Sequence, residues 1–136
     1  MLFLILWMTL QGKWMLFMSE EHVYRALKPS KRYEREDGTV SNAAFKDEKG
    51  LSVELQCLRS DIDVVDHMRN VTRLHGNIAK IPSSVCEESD IDIFNAPSNN
   101  EYHRLLLNKF RKNEEDLCLT DIQADDLADG IVNILH

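Results

Sequence analysis

Residues that end regular structure recur through this chain at short intervals, and they dictate short elements. Pro29, Asp37-Gly38, Gly50, Gly76, Pro82, Pro97 and Gly130 are the breaks. Proline removes a backbone donor and restricts the residue before it, whereas glycine reaches left-handed conformations without steric cost. Between the breaks, His22 to Leu27, Leu51 to Leu55, Ile78 to Ile81 and Ile91 to Phe94 read as strands from their apolar and β-branched content.

Helices are marked by their caps. Ser60, with Asp61 and Asp63 in the following turn, opens a helix running to about Arg73, where His75-Gly76-Asn77 closes it. Ser83 to Ser89 reads as a short turn or helical turn. Ser98 to Glu101 has the spacing of a capping box and predicts a helix from Asn99 to about Lys112. That helix would place Tyr102, His103, Leu106, Leu107 and Phe110 on one face; a short strand over His103 to Leu107 is the competing reading. Thr120 to Gln123 repeats the capping-box pattern before a helix to Leu135, with Ala124, Leu127, Ala128, Ile131 and Leu135 on one face. Gly130 inside it costs about 1 kcal/mol relative to alanine and marks close packing against another backbone. There is no strict alternation of strand and helix. The expectation is an α+β fold: a small mixed or antiparallel sheet of about four short strands, with about three helices packed on one face.

The first 17 residues stand apart. Met1 to Leu10 is apolar, and Gln11-Gly12-Lys13 interrupts it before Trp14. A membrane-spanning helix needs about 20 apolar residues, and a secretory signal needs a basic start and a small-residue cleavage site. Neither pattern is present. Residues 1–17 are expected to lie outside the core, as translated upstream sequence with Met15 or Met18 as the start, or as a membrane-associating tail; a core strand or helix is the competing reading. Residues 18–136 are expected to form a single α+β domain.

The charge balance narrows the partners. The chain of 136 residues carries a formal charge of −7. An acidic surface argues against nucleic acid as the main partner, because phosphate backbones select clustered Lys and Arg. The densest basic stretch, Lys28, Lys31, Arg32 and Arg35, runs at once into Glu36 and Asp37 and reads as a solvated loop. Cys57, Cys86 and Cys118 are odd in number and widely spaced. That suits cytoplasmic use of cysteine as a small buried hydrophobe, not a disulfide or zinc framework.

Motifs for nucleotide cradles, metalloproteases and serine hydrolases are absent from the sequence, so no cofactor and no metal site is predicted. Three side chains remain as site candidates. Arg25, inside the first strand, has the fork that holds an anion bidentately. Ser52, opposite in direction to Leu51 and Val53, can orient such an anion, as can Ser41. His103 shares a face with apolar residues, and its ordinary role is a partly buried histidine bonded to a carbonyl. Two functions follow as expectations. The first is a non-enzymatic protein-binding or regulatory module with a protein partner, suggested by small size, acidity and missing catalytic motifs. The alternative is a small enzyme or ligand-binding protein that holds a phosphate-bearing or nucleotide-like ligand through Arg25, Ser52 and His103.

Overall fold

The computed structural model describes residues 7–10 and 13–16 as strand backbone and residues 20–30, 32–96 and 98–136 in full. Strands β1 (Trp7–Leu10) and β2 (Lys13–Leu16) pair with each other in an antiparallel hairpin separate from the main sheet. The side chains of this segment, and a start at Met18, lie outside the described residues. The main elements follow as β3 (His22–Ala26), a 3-10 turn (Asn42–Phe45), β4 (Leu51–Leu55), α1 (Asp61–Asn70), β5 (Ile78–Pro82), α2 (Ser83–Glu88), β6 (Ile91–Phe94), β7 (His103–Asn108), α3 (Asp121–Asp129) and β8 (Asn133–Leu135). The six strands from β3 onward form one open antiparallel sheet in the order β6-β7-β4-β3-β5-β8. The α+β class is as expected, and the sheet has two strands more than the sequence suggested.

Both additional strands come from segments that read as helix. At residues 98–102 the side chains that imitate a capping box make turns instead. Ser98 Oγ accepts from the Asn100 amide, and Asn100 Oδ1 accepts from the Tyr102 amide. The chain then enters β7, which fills the gap between β4 and β6 and satisfies the inward backbone rows of both. Nonlocal pairing outweighs helix propensity here, as it commonly does in a half-buried sheet. In the last segment the capping box of Thr120 and Gln123 forms, but α3 stops at Asp129 with Gly130 as its C-cap. The Val132 amide then donates to the Lys80 carbonyl, and residues 133–135 pair with β5. Gly130 does mark a close approach, chiefly to a side chain: a Cβ there would meet the Val85 methyls at 2.8 and 2.9 Å and the Asp126 carbonyl oxygen at 3.0 Å. Helix α1 is also shorter than expected, ending at Asn70.

The helices do not share one face. Alternation along the strands divides the interior into two layers. Val23, Leu51, Val53, Ala79, Ile81 and Leu106 point to one side, where the 3-10 turn, α2 and α3 supply Phe45, Cys86, Ala124 and Leu127. Tyr24 and Ile78 point to the other, where α1 supplies Val64 and Met68. The expected single helical layer is therefore wrong. Only a narrow apolar strip holds α1 to the sheet, and polar contacts complete that interface. Among the described residues no helix is long and apolar enough to cross a membrane.

Gly76 shapes the return from α1 to β5. Its φ is +101°, and a Cβ there would meet the Leu27 carbonyl oxygen at 2.4 Å. Gly76→Ala is expected to destabilise the fold by about 2 kcal/mol or more through backbone strain and that clash. Urea titration checks this; a cost near zero would show that the turn relaxes freely.

Candidate binding cleft

Strands β3 and β4 pair at two positions, Val23 with Leu55 and Tyr24 with Glu54. Beyond Tyr24 they part, and a side chain takes over the role of a strand neighbour. Arg25 donates through Nη1 to the Ser52 carbonyl at 2.9 Å and through Nε to the Ala44 carbonyl at 3.2 Å. The guanidinium is thereby fixed by neutral acceptors. Burial pulls Arg25 below its usual basic range, and the charge of Asp47 opposes that shift. Among the described residues no carboxylate forms an ion pair with Arg25.

The parting of the strands leaves a cleft of about 160 Å³ facing α1. Arg25, Lys28, Ser52, Glu54, His75 and Asn100 line it together with the apolar Ala26, Met68 and Leu74. Among the described residues no group of acidic, histidine and cysteine side chains has the arrangement to hold a metal ion.

His103 stands beside this cleft, in strand β7 and not in the helix expected for it. It pairs with Glu54 across the sheet, and its Nε2 lies 3.2 Å from Ser52 Oγ. Its Nδ1 is buried with no partner among the described residues. A buried N–H without an acceptor is costlier than a buried acceptor without a donor. The favoured tautomer therefore carries its proton on Nε2 and donates to Ser52. Ser52 is then an acceptor toward His103, and its own hydroxyl hydrogen is free to point into the cleft. This is the reverse of a serine nucleophile, in which histidine accepts from the hydroxyl and a third group orients the ring. Ser52 thus touches both other candidates, Arg25 through its carbonyl and His103 through its hydroxyl. Ser41, by contrast, accepts from the Ala43 amide at the start of the 3-10 turn.

The sequence did not single out Glu54, which is 3% exposed. Its Oε1 accepts from Arg59 Nη1 at 2.8 Å and from His67 Nδ1 at 2.7 Å. An ionised carboxylate accepts hydrogen bonds without donating any, so His67 carries its proton on Nδ1 here. The Arg59 guanidinium also lies over the Tyr102 ring at 3.5 Å, and His67 meets that ring edge-on. Glu54 lay within the second strand, where its alternation with Val53 and Leu55 was the available signal of a charged group facing the α1 layer.

A second polar clamp anchors the start of α1. Tyr24 donates to Asp61 Oδ1 at 2.7 Å, and Lys80 lies 2.9 Å from the same oxygen. Burial raises the Tyr24 phenol, and the Asp61 hydrogen bond adds to the rise. Burial opposes ionisation of Asp61 as well, but the bonds from Lys80 and Tyr24 outweigh it and the carboxyl titrates below its usual range. On the other side of the sheet, burial pushes the Cys86 thiol up to about 12, so it behaves as an inert hydrophobe.

Comparison with family models, with curated proteins and with solved structures found no match to this chain.

Two stability predictions follow from the clamps. Glu54→Ala leaves Arg59 and His67 without their carboxylate and is expected to cost about 3–5 kcal/mol, the range for breaking a buried ion pair. A loss under 1 kcal/mol in denaturant unfolding would show that the cluster is not coupled to folding. Tyr24→Phe is expected to cost about 1.5 kcal/mol at neutral pH. Because Asp61 is depressed in the folded state, its contribution is present above the unfolded carboxylate range and is lost as pH falls through the folded value. The gap between wild type and Tyr24→Phe should therefore shrink on acidification, and unfolding midpoints measured from neutral pH to pH 3 test that sign.

Proposed function

We propose that the protein binds a small phosphate-bearing ligand in the cleft between β3 and β4. The observation that carries this reading is Arg25, a half-buried guanidinium held by two carbonyls and with no carboxylate ion pair among the described residues. Buried charges are normally paired, and an arginine already oriented by neutral acceptors keeps donors for an anion at reduced entropic cost. Lys28 and His75 add donors at the rim, and the free Ser52 hydroxyl hydrogen supplies a neutral one. The cleft is smaller than the roughly 300–1,000 Å³ of pockets for drug-sized ligands. It accommodates the phosphate end of a ligand, with any nucleoside-like body lying outside. The arrangement of Ser52 and His103 favours binding over nucleophilic catalysis.

Calorimetric titration of the full-length chain with inorganic phosphate tests this. Binding is expected, weakened by added salt and about tenfold by Lys28→Glu, since exposed charges around an anion site act additively with modest energies. Arg25→Ala should abolish it; Arg25→Lys, which keeps the charge and loses the fork, separates binding from folding. Absence of binding at millimolar phosphate, or binding indifferent to all three substitutions, would refute the reading.

A protein-binding or regulatory module is the second reading. Strands β6 and β8 form open edges of the sheet, and Phe94 on β6 and Val132 beside β8 are 47% and 58% exposed. Such edges take an added strand from a partner. A stoichiometric partner that co-purifies with the tagged full-length chain, and is lost on Phe94→Asp or Val132→Asp but kept on Arg25→Lys, would support this reading over the first.

A further inference from the structure

We propose that the N-terminal hairpin folds onto the free edge of β8, so that β2 becomes the next strand of the main sheet. Strands β1 and β2 pair with each other and form a sheet of their own. A two-stranded hairpin by itself is marginal in water and becomes stable with a third strand or a packed face. This one comes from a stretch, residues 1–17, in which Lys13 is the one charged side chain. Such a segment gains more from burial than from exposure to water. Its strands are four residues each, too short to cross a bilayer, and open strand edges are not tolerated in hydrocarbon.

Two observations choose β8 over β6, the other edge of the sheet. The first is the place where the N-terminal segment joins the domain. The Glu21 carbonyl accepts from the Ser83 amide, and Glu20 Oε1 accepts from Ser84 Oγ at 2.7 Å. Val85, the next residue, lies against Gly130, where the chain leaves α3 for β8. From Glu20 back to the end of β2 at Leu16, an extended chain reaches about 13 Å. Strand β2 is therefore delivered beside the α3–β8 junction. The second observation is charge. Exposed edges are normally guarded by charged residues. Strand β6 carries Asp92, ion-paired with Arg111. From Gly130 to His136 there is no Asp, Glu, Lys or Arg, and Val132 is 58% exposed. A groove of about 430 Å³ lies beside β8, lined by Val132, Asn133 and Ile134 and by Arg35, Thr39 and Val40 of the loop after β3. It has room for one row of side chains from an added strand. With β2 in place, β8 is closed to a partner strand and β6 is the edge that remains open.

Amide hydrogen exchange of the full-length chain tests the docking. In an edge strand alternate amides point away from the sheet and exchange as exposed groups. With β2 docked, all amides from Asn133 to Leu135 are expected to be protected, at rates independent of protein concentration. Trp14→Pro and Met15→Pro each remove a backbone donor from β2. They should release the outward amides of β8 by about tenfold or more, while the Leu127 amide in α3 exchanges as before. Fast exchange of alternate β8 amides in the unaltered chain would overturn the proposal, and so would protection that both proline variants leave intact. Protection that fades on dilution would assign the edge to a second copy of the chain and would equally overturn it.

Discussion

The face of the sheet that meets α1 is organised around one buried carboxylate. Glu54 sits in the central strand β4, paired with Tyr24 on one side and with His103 on the other. A charge in that position demands compensation, and Arg59 and His67 supply it from the loop before α1 and from α1 itself. The helix offers two fully buried apolar side chains, Val64 and Met68, to the sheet. At roughly 1.5–3 kcal/mol per buried large side chain, that strip is thin for a helix of this length. The Glu54 cluster and the Tyr24–Asp61–Lys80 clamp therefore decide where α1 lies. The opposite layer, built on Phe45, Leu51, Leu106 and Leu127, is conventional and carries most of the hydrophobic stabilisation.

The cleft follows from the same arrangement. Once β3 and β4 have paired at Glu54, they separate, and Arg25 takes the Ser52 carbonyl that a strand neighbour would otherwise hold. This keeps the backbone acceptor satisfied without closing the sheet. It also leaves a half-buried cation held by carbonyls, with no carboxylate ion pair among the described residues. An acidic protein can thus present a local basic site, and its net charge of −7 describes its surface as a whole, not this cleft.

Local chemistry was legible in the sequence wherever it acts locally. The caps at Ser60 and Thr120, the breaks at Pro29 and Gly76, and four of the sheet's strands were all readable from neighbouring residues. The errors fell where distant pairing decides. Ser98 to Glu101 has the letters of a capping box, yet β7 forms because β4 and β6 each need a partner. Ile131 to Leu135 has helical spacing, yet Gly130 ends α3 against Val85 and the remainder joins β5. The candidates Arg25 and Ser52 were visible as a polar residue in each of two strands, and their approach to each other rests on the sheet order. Glu54 was missed because a glutamate in an alternating strand reads as solvent-facing until the helix covering it is known.

Nuclear magnetic resonance of the full-length chain, titrated with inorganic phosphate, tests the central claim most directly. The account predicts that the Arg25 Nε–H signal and the backbone amides of Lys28, Ser52 and His75 shift together with a common saturation curve. Signals from the opposite layer, such as Ala124 and Leu127, should stay in place. Unmoved Arg25 and Ser52 signals, or shifts scattered over exposed lysines with no saturation, would contradict it.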